Sequence, residues 1–221
     1  MTSQANAGPN PTSLTLKYRT YKVRDGRGGQ PLSFLLCDTM GLEANKVGQE
    51  NENKNAGVHI EDIDSILKGY IPDGYQFNPE TPWSQDGDQT HIPPLQERIH
   101  CVVFVVNASK LPLMNSDKDK NKFIQIKNKA NQLDVPLMVL LTMLDIVCPD
   151  VEKDLKNVYW STYLKEKIEK ASQLLGIQVS SVFPVKNYCR EDKLDMCCDI
   201  LLLTAMQKML HLSDDFFANF E

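Results

Sequence analysis

At 221 residues, with 42% hydrophobic and 24% charged side chains, the chain is long enough to bury a sizeable core and has a globular composition. Its net charge of −5 argues against a broad nucleic-acid surface, which needs clustered Lys and Arg. No apolar run reaches the ~18 residues that cross a bilayer, and Met1 is followed by Thr, Ser, Gln and Asn rather than by a basic and then apolar leader.

Residues 1–14, rich in Ser, Asn, Gly and Pro, read as a switch-like flexible segment. TLKYRTYKVR (Thr15 to Arg24) alternates as a strand does. The Gly-rich break DGRGGQ then leads into PLSFLLCD, so the two runs predict an antiparallel hairpin. The polar stretch 43–56 lacks periodicity and is expected to be mobile. Ile63, Ile66 and Leu67 share the face of a short helix over 60–68, closed by Gly69. Residues 71–94 carry many Pro, Gly and Asp and complete an irregular insertion spanning 43–94.

From residue 101 the pattern becomes α/β. CVVFVVN (Cys101 to Asn107) and PLMVLLT (Pro136 to Thr142) are continuous apolar runs, as expected of strands covered on both faces. Between them Phe123, Ile126, Ala130 and Leu133 recur at helical spacing. Lys118, Lys120, Lys122, Lys127 and Lys129 surround that stripe, as a solvated helix face or a basic partner surface. A second helix fits Ser161 to Leu175, with Leu164, Ile168, Ala171 and Leu175 inward and Gly176 as terminator. VSSVFPVKN (Val179 to Asn187) reads as a third strand. The closing helix starts near Asp195, and DILLLTAMQKML is apolar on most sides, which predicts a deeply packed first half.

The six cysteines show no CxxC spacing, Cys37 and Cys101 lie inside apolar runs, and Cys197 and Cys198 are neighbours. His59, His91, His100 and His211 are scattered. Reduced, mostly buried thiols without a metal site are expected, as in a cytosolic protein.

Strands alternating with helices imply a mostly parallel sheet with helices on both faces, whose ligands sit at the carboxyl ends of strands. Each candidate motif falls at such an end. Asp38-Thr-Met-Gly41 closes an apolar strand, where a carboxylate can hold a metal-bound water and a glycine lets its N–H approach a phosphate. Asp25 and Gly28 have the same spacing, but inside the hairpin turn. LLTMLD (Leu140 to Asp145) ends the second apolar run. A carboxylate there can accept the adjacent N1–H and N2–H donors of guanine together, a pair that adenine lacks. Thr142 and Asp145 fit the Asn/Thr-Lys-x-Asp element of GTP-binding proteins, with Met143 in place of the lysine. PVKNY supplies Asn187 and a backbone that could reach the guanine oxygen. Capping and turn roles for Asp38 and Asp145 are the alternative.

The runs YRTYKVRDGRGGQPLSFLLCDTMGLE, ILKGYIPDGYQFNP, LQERIHCVVFVVNAS and LLLTAMQKMLHLSDDFF resemble the interferon-induced protein 44 family, including its 44-like member. The resemblance covers nearly the whole chain. It implies a cytoplasmic, interferon-responsive, GTPase-like protein of innate antiviral immunity. A GTP-binding domain cradles phosphates with a glycine-rich loop ending in Lys-Ser/Thr, and no GxxxxGK[ST] occurs in the sequence. In the family that loop precedes the segment matching TSLTLKYRTY. The chain therefore reads as a G-domain-like α/β domain over 15–221, lacking the first strand, phosphate loop and first helix. Thr12 or Thr15 would fall in the first switch segment, where a Thr ligates magnesium. The missing strand normally lies between the strand ending at Asp38 and that at 101–107, so its loss would open the sheet.

Magnesium held through water by Asp38, and GTP, are accordingly expected only of a complete family member. Weak or absent guanine binding, no catalytic residue and action through protein partners are expected of this chain. A GTPase whose phosphate loop comes from another segment or chain, and a nucleotide-free interaction scaffold, are the alternatives.

Overall fold

The computed structural model describes residues 15–26, 28–42, 57–78, 80–84, 92–114, 117–189 and 191–220. They fall into two compact units, Met1–Arg98 and Ile99–Glu221. The stretch 43–56 and Thr12 lie outside the described residues.

In the first unit the alternating run forms β1 (Arg19–Arg24), antiparallel to β2 (Pro31–Asp38), with Arg19 opposite Asp38 and an irregularity between Lys22 and Arg24. Just ahead of β1, residues 16–18 pair with the irregular stretch. Tyr18 N–H donates to Tyr75 O (2.8 Å), Gly74 N–H to Tyr18 O (2.8 Å), and Phe77 N–H to Leu16 O (3.1 Å). Helix α1 (Ile60–Leu67) buries Ile63, Ile66 and Leu67 as its spacing predicts, alongside Tyr18, Val58, Ile71 and Phe77. Gly69 ends it at φ 81°, and a Cβ there would meet the carbonyl oxygen of Glu97 at 2.5 Å. Only glycine suits both conditions.

The second unit holds a three-stranded parallel sheet in the order β3 (Val102–Asn107), β4 (Leu137–Thr142), β5 (Val182–Pro184). The hairpin is a separate two-stranded sheet. Helix α2 (Asp117–Gln132) connects β3 to β4. The short helices α3 (Leu144–Val147) and α4 (Pro149–Lys153) follow β4, then α5 (Thr162–Leu175). Both crossovers step the same way across the sheet, so right-handed connections place α2 and α5 on one face. Lys127 of α2 accordingly donates to the carbonyl of Gly176, just beyond α5, at 2.8 Å. Phe104 of β3 meets Phe123 of α2 edge-on at 5.0 Å.

Coverage differs between neighbouring strands. In β4, Met138, Val139 and Leu141 are buried, so side chains of both faces are covered as expected. In β3, Phe104 and Val106 are buried but Val105 is 68% exposed. The expectation of two covered faces therefore fails at this edge strand, whose apolar run alone could not reveal its position in the sheet.

The end of the chain departs from its sequence pattern in two places. The third strand is only Val182–Pro184, because Val179–Ser181 form a 3₁₀ turn. Helix α6 (Met196–Ala218) begins where predicted, with Asp195 as N-cap. Its first half is not deeply packed, however. Cys198, Leu201 and Ala205 are buried on one side, while Ile200 and Leu203 are 56% and 67% exposed on the other. All six thiols are free, and only Cys148 and Cys198 are buried. Cys37 is exposed because a two-stranded ribbon leaves most of β2 uncovered.

Candidate functional site

The carboxyl ends of β4 and β5 are built by residues of two very different kinds. Thr142, the last residue of β4, directs its hydroxyl to Val106 O (3.2 Å) and accepts Ala108 N–H (3.0 Å) on its carbonyl. Its side chain therefore ties β4 to β3. Met143 then takes a left-handed conformation, φ 60° and ψ 39°. For a side-chain-bearing residue that costs roughly 1–2 kcal/mol, so the surroundings must enforce it. Leu144 does so from one side, being fully buried, and the sharp turn puts Asp145 in the first turn of α3, half-buried. Among the described residues Asp145 accepts no hydrogen bond.

The ladder continues one residue past β5, where Val185 N–H donates to Leu141 O (2.9 Å). This delivers Lys186 and Asn187 beside the end of β4. The Lys186 ammonium pairs with Glu191. Its pKa is raised chiefly by that hydrogen bond and by the charge of Glu191, with a contribution from Asp145 against the opposing effect of burial. Asp145 and Lys186 therefore share one electrostatic neighbourhood. Asn187 is exposed, and its carboxamide oxygen accepts Tyr188 N–H (2.9 Å). Glu191 also accepts Cys189 N–H (2.7 Å), and the Cys198 thiol, its pKa raised by burial, donates to Lys186 O (3.0 Å).

Thr142, Asp145 and Asn187 thus lie at one end of one sheet, as their sequence positions require. Lys186, Tyr188 and Glu191 sit among them, and their signal in the sequence is a polar, aromatic-containing loop directly after a strand, which by itself points only to a backbone role.

The remaining candidates belong to the first unit. Thr15 Oγ1, ahead of β1, donates to Asp38 Oδ2 at the end of β2 at 3.2 Å, a contact between residues 23 positions apart. Gly41 O accepts Val58 N–H (3.3 Å). Magnesium takes one or two carboxylates and fills its octahedron with water and substrate phosphates. Thr15 and Asp38 supply only one hydroxyl and one carboxylate. No group of three His, Cys, Asp or Glu suited to a metal occurs among the described residues. The two side chains would fill only part of that octahedron.

No helix among the described residues is long and apolar enough to cross a membrane. No family model matches the chain, and no solved structure does either. The chain is 36% identical over 218 residues to interferon-induced protein 44-like of Homo sapiens, covering 98% of this chain and 46% of that protein. It is 36% identical over 217 residues to interferon-induced protein 44 of Pan troglodytes (98% and 47%), and 33% identical over 217 residues to that of Mus musculus (98% and 49%). It therefore spans about half the length of these curated relatives.

Proposed function

We propose, from 36% identity over 98% of the chain to interferon-induced protein 44 and 44-like, that it is a member of that family and an interferon-induced, cytoplasmic protein of innate antiviral defence. In this reading it acts by binding protein partners, and it keeps a weak guanine-reading site without efficient catalysis. One observation carries the site: Asp145, half-buried at the carboxyl end of β4, has no hydrogen-bond donor of its own among the described residues. A base edge presenting two N–H groups would supply what that carboxylate lacks. Met143 could lie on the ring face, though it brings no charge.

The affinity should be low. The sequence has no glycine-rich loop ending in Lys-Ser/Thr, so the oriented N–H groups and lysine that normally hold β- and γ-phosphates are not supplied by it. Charge-assisted hydrogen bonds contribute roughly 1.5–3 kcal/mol each. Losing several weakens binding by powers of ten, at about 1.4 kcal/mol per tenfold. NMR titration with GMP should show millimolar binding that exceeds binding of AMP and disappears in Asp145→Ala. Calorimetry should show no micromolar GTP binding. Identical responses of Asp145→Ala and the unmodified chain would favour a nucleotide-free scaffold.

The contact between Thr15 and Asp38 favours a second reading, a GTPase whose phosphate cradle comes from a further segment or another chain. Tight, magnesium-dependent GTP binding or turnover by the purified chain would support it over the first.

A further inference from the structure

The loop after β5 is fastened at one aromatic residue. The Tyr188 hydroxyl accepts Asp195 N–H (2.8 Å) and lies 2.7 Å from Asp199 Oδ1, to which it donates. The Asp195 carbonyl is within reach at 3.0 Å. Asp195 and Asp199 stand one helical turn apart, which is why a single hydroxyl reaches both. Asp195 can be held by its backbone because its carboxylate is otherwise engaged, capping α6 through Cys197 N–H (2.8 Å) and Cys198 N–H (3.0 Å).

We infer that Tyr188 is a positioning residue of the base-edge site, whose hydroxyl fastens the loop after β5 to the first turns of α6 and so fixes Lys186 and Asn187 beside Asp145. The ligand in this inference rests on the guanine reading above; the fastening does not. Other ties are the Cys198 thiol on Lys186 O and the Glu191 carboxylate, which joins Lys186 to Cys189 N–H within the loop. A thiol is a weak donor, and these two Glu191 contacts lie within the loop. Of the loop-to-helix contacts named among the described residues, the Tyr188 hydroxyl is therefore the strongest polar link. Partial desolvation and its hydrogen bond to Asp199 push Tyr188 up to about 12, so the donated proton is retained throughout the neutral range.

Replacing Tyr188 by Phe keeps the ring and removes only the hydroxyl. Hydrogen exchange on the ligand-free chain should show amides of Lys186–Cys189 and Asp195–Cys198 exchanging about tenfold faster in Tyr188→Phe, with far-UV circular dichroism unchanged. NMR titration should show GMP binding weakened about tenfold, about 1.4 kcal/mol, and AMP binding weakened less, so that base discrimination falls. Asp199→Asn keeps an acceptor for the hydroxyl and should retain discrimination. Unchanged exchange in Tyr188→Phe overturns the fastening. Faster exchange with GMP and AMP weakened equally overturns the positioning role, because a general loss of order does not select between bases. An unmodified chain that binds neither nucleotide overturns the guanine reading and the positioning role with it, while exchange alone still decides the fastening.

Discussion

Replacing Asp195 by Ala isolates the cap of α6 from the tyrosine link, because Tyr188 touches the backbone of Asp195 and not its carboxylate. The carboxylate accepts Cys197 N–H at 2.8 Å and Cys198 N–H at 3.0 Å. It thereby satisfies two of the four N–H groups that every helix start leaves without an internal partner. An N-cap Asp changed to Ala costs about 0.5–2 kcal/mol, typically near 1. Double occupancy and the negative charge at the positive end of a 23-residue helix place this case in the upper half of that range. At roughly 1.5 kcal/mol, the folded-to-unfolded ratio falls about tenfold, and Tm falls by about 3–6 °C for a chain of this size. Thermal and urea melts followed by circular dichroism measure it directly. Asp195→Asn preserves an acceptor and should recover most of the loss, since Asn caps as well as Asp. A melt of Asp195→Ala within about 0.3 kcal/mol of the unmodified chain would refute the assignment. So would an Asn variant as unstable as the Ala variant.

Gly69→Ala should destabilise the first unit by about 2 kcal/mol or more, since a positive φ and a backbone oxygen at 2.5 Å both oppose a Cβ; protease sensitivity of the α1 region should rise, and an unchanged digest would contradict it. Thr142→Val and Asp145→Ala should separate stability from recognition. The first loses the tie to Val106 O and about 1 kcal/mol, whereas the second, removing a carboxylate with no hydrogen bond among the described residues, should leave the melt within about 0.5 kcal/mol. Asp62, fully buried in the first turn of α1, accepts Trp83 N–H at 2.6 Å, and its Oδ2 has no hydrogen-bond partner among the described residues. Burial raises its pKa against the lowering effects of the Trp83 amide and His59. The native state therefore holds this proton to higher pH than the unfolded chain does. Its stabilising contribution is complete below the ordinary carboxylate pKa and is lost as pH rises through the raised native value. Carboxyl NMR titration should find Asp62 above the ordinary range, and a normal or lowered value would remove the basis for this pH dependence.

Local sequence carried the elements whose signal is local. The spacing of Ile63, Ile66 and Leu67 in α1, the extent of α5 to within one residue and its Gly176 terminator, and the Asp195 start of α6 all stand in the structure. What the sequence did not show is which neighbour covers which face. VVFVVN and LMVLLT look alike as strings, yet β3 lies at a sheet edge with Val105 exposed while β4 is central and buried. The same limit explains α6. Ile200, Leu201 and Leu203 are equally apolar, but only Leu201 points into the core, and periodicity cannot choose a face when several are apolar.

The candidate site shows the corresponding limit for polar groups. Asp38 and Asp145 carry the same sequence signature, an aspartate at or just beyond the end of an apolar strand, and neither residue type nor spacing ranks them. Their surroundings do. Asp38 already receives the Thr15 hydroxyl, from a residue 23 positions away. Asp145 is turned out by the left-handed Met143 into a half-buried position beside Lys186, with no donor bonded to its carboxylate among the described residues. A partly desolvated carboxylate gains more from new N–H donors than one that already has a donor, because less water has to be displaced and more bonding capacity is unused. That difference is why the proposed guanine reading rests on Asp145 and not on Asp38, and a left-handed backbone at Met143 is the feature that sets Asp145 apart.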